Sequence, residues 1–193
     1  MEELLSDTDH RGVVVAGCDF TGRIASAVAF KDCRLTKTVF ARTHLRGLDL
    51  VGTTLEGCDL ANAVWEGARL DDALFVDCRL TGLDLSQASV QGTEFRSCEI
   101  SMANFRNAVF KKTKFVDCKL RGTDFQRADL RQAVFQGCDL RETQMSFAKL
   151  DGTDLRGSDI AGLQVGIADL RGAVVEPSQA AYLAGLMGLR IAH

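Results

Sequence analysis

Every fifth residue from Phe20 to Val175 is apolar, 32 in succession, and only Ala25 among them is small. Ten of the eleven Phe and the only Trp, Trp65, fall in this one register. Two positions earlier runs a second restricted set, almost all Cys, Ala, Thr or Ser, with Arg23 its one charged member. All seven Cys belong to it, and fifteen of the 18 Gly stand immediately before it. The repeating unit is small-x-large-x-x, often with Gly last. An α-helix cannot use this spacing, because five residues advance about 500° and the large side chains would spiral over every face. A continuous strand fails as well, since an odd period sends successive large residues to opposite faces. What satisfies it is a short extended segment whose small and large residues both point inward, followed by a turn, so the chain has to wind.

The cysteines set the length of one winding. Cys58, Cys78, Cys98, Cys118 and Cys138 recur at every fourth unit, so four units close one coil. Residues four units apart then stack in parallel register at about 4.8 Å. Phe75, Phe95, Phe115 and Phe135 form one such column. Residues 13–176 give about eight coils and a filled rod of roughly 39 Å.

Units such as Ala128-Asp129-Leu130-Arg131-Gln132 and Ala168-Asp169-Leu170-Arg171-Gly172 resemble the A(D/N)LXX consensus of the pentapeptide-repeat family. The resemblance covers roughly residues 13–176. It implies an all-β fold, a right-handed quadrilateral β-helix, with residues 1–12 as an N-terminal cap and 177–193 as a C-terminal helix and tail.

Composition narrows the function. The chain has 193 residues, 46% hydrophobic and 25% charged, as in an ordinary folded domain. A net charge of −3 argues against binding nucleic acid by neutralising phosphate. Met1-Glu2-Glu3-Leu4-Leu5 has neither the basic nor the apolar region of a secretory signal, which points to the cytoplasm and to reduced thiols. No apolar run approaches the roughly 20 residues of a membrane span. The cysteines lack metal-ligand spacing, and His10, His44 and His193 lie in unrelated places. The cysteines read as small core filler. No nucleophile–base constellation or phosphate loop stands out, so neither catalysis nor a cofactor is expected.

The ends and the surface carry what remains. After Pro177, Ser178 is expected to cap a short apolar helix that Gly188 ends. Tyr182, Leu183, Leu186, Met187, Leu189 and Ile191 offer more hydrophobic surface than one rod end needs, so the helix reads either as a plain lid or as a lid that also joins a homodimer. Gln179, Ala180, Leu183, Gly188 and Leu189 resemble the ending of the dimerising tails of the MfpA and Qnr quinolone-resistance type. That type implies a DNA mimic that binds DNA gyrase, inhibits it and protects it from fluoroquinolones or related toxins. A non-enzymatic scaffold for another protein is the alternative. Asp59, Arg79, Glu99, Lys119 and Asp139 alternate in sign along one column, and Asp159 breaks the alternation. Like charges one coil apart have no evident folding rationale, so Asp139 and Asp159 are the leading candidate gyrase contacts, with Asp154 and Asp169 behind them. Residues 48–95 carry nine acids and two bases, net −7, and residues 96–131 carry four acids and nine bases, net +5. The rod is electrically banded.

Overall fold

The computed structural model describes residues 4–186 and 188–190, and it is a four-sided parallel β-solenoid. The coil of Phe110, Phe115, Leu120 and Phe125 shows all four sides, and each side is named here by that residue. The Phe115 side is a seven-stranded parallel sheet running from Val14–Ala16 through Arg34–Thr36, Thr54–Glu56, Leu74–Val76, Glu94–Arg96 and Lys114–Val116 to Val134–Gln136. Bridges from Val134 to Asp154 and from Asp154 to Val174 continue it, so eight coil-to-coil steps separate its ends. The Phe110 side has six strands, from Thr8–Arg11 to Val109–Lys111. The Phe125 side has Ile24–Ser26 and His44–Arg46 and then single bridges, and the Leu120 side is built of bridges alone. Pairing joins residues four units apart throughout, as in Phe75 with Phe95 and Phe95 with Phe115.

The five-residue period exists because each side ends in a left-handed corner. Every fifth position from Asp7 to Gly172 has positive φ, Ile167 being the exception. Glycine fills fifteen of these corners, and the other eighteen hold side chains such as Asn62, Lys112 and Phe147. Glycine adopts this conformation without the Cβ clash. At Gly92 it does so with Asp72 folded over it, where a Cβ would meet the Asp72 carboxylate.

The central residues from Phe20 to Ile160 are all buried, while Val165, Leu170 and Val175 are half-buried against the same core. Stacking at the strand spacing forces the rings of one column face to face. Phe95, Phe115 and Phe135 lie 4.9 and 4.8 Å apart with interplanar angles of 5° and 2°. Phe110 and Phe125 meet Phe115 from other sides at 5.9 and 6.1 Å. Trp65 satisfies its buried N–H on Thr43 Oγ1 at 3.0 Å.

The inward small residue has a second task beside filling space. Thr53, Thr123 and Thr153 donate their hydroxyls to the carbonyls of Phe30, Ile100 and Leu130 one coil back, at 2.9, 3.0 and 2.8 Å. Cys58, Cys78, Cys98, Cys118 and Cys138 place their thiols on the equivalent carbonyls at 3.3–3.6 Å. Contact with neighbouring thiols and burial push Cys98 and Cys138 well above the ordinary thiol range.

Both ends depart from expectation. Thr8–Arg11, inside the segment read as an N-terminal cap, already pairs with Val28–Lys31, and His10 stacks on Phe30 at 5.1 Å in the central column. At the other end, Gly166 starts a 3-10 turn, Ile167–Leu170, in place of a left-handed corner. The helix Pro177–Leu186 is capped by Glu176 and not by Ser178. Ala180 N–H donates to the Glu176 carbonyl at 2.9 Å, and Gln179 Oε1 accepts from the Glu176 N–H at 3.0 Å, with Pro177 at the first helical position. Gly188, at φ +80°, ends it as expected.

Replacing Phe115 with Ala removes a fully buried ring from a stack that the coil spacing cannot close, and is expected to cost about 3–5 kcal/mol in denaturant titration. Cys78, Cys98 and Cys118 should resist thiol reagents in native protein and label on unfolding, because each is at most 2% exposed.

Candidate partner-binding surface

A filled rod leaves its function to the outside. An open groove runs along Ile24, His44 and Val64 of the Phe125 side, edged by Glu66 and Gln87. Among the described residues no three His, Cys, Asp or Glu side chains gather as a metal site, and no helix is long and apolar enough to cross a membrane.

The outward positions are ordered by the same four-unit register as the core. Two pairing rules account for the ion pairs. Within a strand or corner, an Arg reaches an acid two residues away, as in Arg96–Glu94 at 2.6 Å, Arg131–Asp129 at 2.7 Å and Arg156–Asp154 at 2.7 Å. Between coils, the alternating column on the Leu120 side pairs Arg79 with Asp59 and Lys119 with Glu99, both at 3.2 Å. Exposed pairs of this kind contribute about 0.2–1 kcal/mol each.

The four candidate acids are less free than their sequence positions suggest. Asp139 and Asp159 do stack, bridged coil to coil on the Leu120 side. The expectation that their stacking is uncompensated is corrected by Arg141, whose Nη2 and Nε donate to Asp139 at 2.6 and 2.8 Å while Nε also lies 3.6 Å from Asp159. One guanidinium serves both carboxylates. The Arg141 hydrogen bonds hold the Asp139 carboxyl below its ordinary range, against a smaller opposing effect of burial. Asp154, on the Phe115 side, is lowered in the same way by Arg156. Asp169 has a structural duty, with Oδ2 accepting from the N–H groups of Phe147 at 2.8 Å and Gly166 at 3.2 Å. Asp159 is the most open, its side chain 56% exposed. Comparing charges along columns alone does not reveal Arg141. Its signal lies two residues ahead, in the repeated Asp-Leu-Arg of 129–131, 139–141 and 154–156.

The tail divides into two parts. Leu183 is buried in the core of its own rod, which withdraws it from the expected dimer face. Gln179, also buried, donates to the carbonyls of Leu155 at 2.7 Å and Ser158 at 2.8 Å, either side of the Gly157 corner. Tyr182 OH accepts from the Gly162 N–H at 2.6 Å. These three fix the lid. Leu186 and Leu189 are 56% and 58% exposed and unused by the monomer. Met187 and Ile191 lie outside the described residues.

Profiles described as "Pentapeptide repeat region" match residues 48–115 and 93–165, and "Pentapeptide repeats (8 copies)" matches residues 26–60. The chain belongs to the pentapeptide-repeat family. Its fold is that family's right-handed quadrilateral β-helix. No curated protein matches the sequence. Among solved structures, trypsin-treated QnrB1, a plasmid-mediated fluoroquinolone resistance protein, is similar over 100% of both chains, with a TM-score of 0.61 at 17% identity. HetL, involved in heterocyst differentiation regulation in the cyanobacterium Nostoc, is 24% identical over 90% of this chain and 89% of its own, with a TM-score of 0.35.

Glu94, Asp129, Asp139 and Asp154 have folded pKa values lowered by their arginines. Their contribution to stability is therefore full above the unfolded carboxylate range near 4 and is lost as pH falls through the lower folded values. Thermal stability should hold from neutral pH to about 5 and decline below about 4. Substituting Arg141 with Gln should lower stability at neutral pH by about 1 kcal/mol or less, since it exposes two stacked carboxylates to each other.

Proposed function

We propose that the protein is a non-enzymatic DNA mimic that binds DNA gyrase in the cytoplasm, inhibits it and protects it from fluoroquinolones or related toxins. The observation that carries this reading is the end-to-end likeness in fold to QnrB1, whose own role is fluoroquinolone resistance. A filled rod about 38 Å long, with carboxylates in fixed columns at the strand spacing, can present negative charge at regular intervals to a basic saddle. Pairing two rods through Leu186 and Leu189 would double that length to about 76 Å, roughly 22 base pairs at 3.4 Å each.

Within this reading Asp159 is the principal contact on the Leu120 side. Asp139 acts beside it, where a basic partner competes with the Arg141 guanidinium for its carboxylate, while Asp154 and Asp169 contribute less because their oxygens are engaged. The basic band at 96–131 favours a second reading, a scaffold for another protein. The two readings differ in one assay. Gyrase supercoiling should be inhibited at low salt and relieved as salt rises, because the charge contacts are screened over about 8–10 Å at ordinary ionic strength. Asp159→Asn with Asp139→Asn should weaken inhibition several-fold while lowering stability only slightly. Unchanged supercoiling at low salt would favour the scaffold. Replacing Leu186 and Leu189 with Asp should halve the longest particle dimension seen by solution scattering and leave the β-rich spectrum intact.

A further inference from the structure

The four sides differ on their outer surface. At the positions flanking each central residue, the Phe115 side carries six branched aliphatic side chains: Val14, Leu74, Val76, Val116, Val134 and Val174. The Phe110, Leu120 and Phe125 sides carry two, one and two. The Phe115 side is also the longest run of regular strands in the molecule. Val14 and Val174, near its two ends, are 73% and 38% exposed, and the other four are half-buried. A row of aliphatic side chains along one open sheet face can pack against a protein surface, although it does not by itself say which one.

Charge along the adjoining corner says what that contact is. Lys111, Lys112 and Lys114 are exposed and make no ion pair among the described residues, although the neighbouring arginines Arg96 and Arg131 each do. Two coils toward the N-terminus, at the same corner, stand Asp71, which Arg69 also holds, and Asp72. The coil between them has Gln91 and Gly92 there, and its Glu94 and Arg96 neutralise each other. The change of sign is centred on the coil of Phe95, where the −7 and +5 bands of the sequence also meet.

A twofold axis along the strand direction through that coil reverses the order of the coils and keeps every residue in its own column. It sets Asp71 and Asp72 against Lys111 and Lys112 of a second copy, twice by symmetry. It also sets Arg34 against Asp154, Lys31 against Asp151, Val76 against Val116 and Val14 against Val174. Gly92 lies at the axis, with the Asp72 carboxylate of its own rod folded over it. Glu94 and Arg96 each face their own copy there, already neutralised within the strand. Asp77 against Asp117 and Arg11 against Arg171 are opposing like-charge pairs, and Leu74 faces Lys114.

We propose that this face is the interface of an antiparallel, side-by-side homodimer. About 38 Å of rod by about 13 Å of side gives roughly 500 Å² per copy, or about 1,000 Å² in all, the lower bound for a specific pair. The association is therefore weak and depends on its charges. It is distinct from an end-to-end junction at the tail, and it does not rest on gyrase being the partner.

The test uses the full chain carrying Leu186→Asp and Leu189→Asp, so that the tail junction is absent. Sedimentation at low salt should give twice the monomer mass, and scattering should give a longest dimension close to one rod. Molar salt, with a screening length of about 3 Å, should return the monomer. Lys111→Glu with Lys112→Glu should be monomeric at low salt, and so should Asp71→Lys with Asp72→Lys. Mixing these two variants in equal amounts should restore the doubled mass, because each then meets the opposite sign on its partner. A monomer at low salt before any charge change, charge variants that still dimerise, or a mixture of folded variants that stays monomeric would each overturn the proposal. Gyrase inhibition measured on the chain with Leu186 and Leu189 intact reads the functional proposal separately.

Discussion

The backbone bonds between coils govern the rest of this molecule. Along each side, one residue donates to the carbonyl 19 positions ahead, as Leu60 does to Arg79, and its neighbour donates to the carbonyl 21 positions behind, as Asp59 does to Thr38. The two distances average to one coil, so an insertion that is not looped out at a corner would put every bond that spans it out of register. This explains why a chain of such varied composition keeps one frame from one end of the solenoid to the other. It also explains the ring stacks, because side chains one coil apart have no choice but to lie one strand spacing from each other.

The inward small residue makes that ladder compatible with a full core. Its slot borders a carbonyl of the preceding coil, and Thr, Ser or Cys can place a donor on it while Ala only fills the space. The Cys column is thus explained by size and weak hydrogen bonding together. Where Arg23 takes such a slot its side chain is exposed, and the central residue that follows, Ala25, is the small one.

Surface charge inherits the same order, and this changes how it has to be read. A residue has neighbours above and below in its column and across the strand two residues away, and the second relation is as important as the first. Asp139 and Asp159 look mismatched along the column and are reconciled by Arg141 across it. The lysines at 111, 112 and 114 look unexceptional in composition and are left without ion pairs among the described residues. In a filled rod, such departures from local pairing are where a partner can be accommodated at least cost to folding.

The repeat period, the four-sided coil, the inward columns and the approximate coil number were legible in the sequence, because a strictly local spacing repeated in one frame admits few backbones. The glycines mark about half of the corners, and the remaining left-handed positions, such as Lys112 and Phe147, can be inferred only from their place in the frame. Three features needed the tertiary structure. The first is Thr8–Arg11 as a coil strand, which depends on its partner Val28–Lys31 one coil away and not on its own composition. The second is the division of the tail into Gln179 and Leu183, which seal the rod, and Leu186 and Leu189, which do not. The third is the sharing of Arg141 between two aspartates. Local spacing determines where a side chain points, whereas what it meets there is set by how the coils and the lid come together in space.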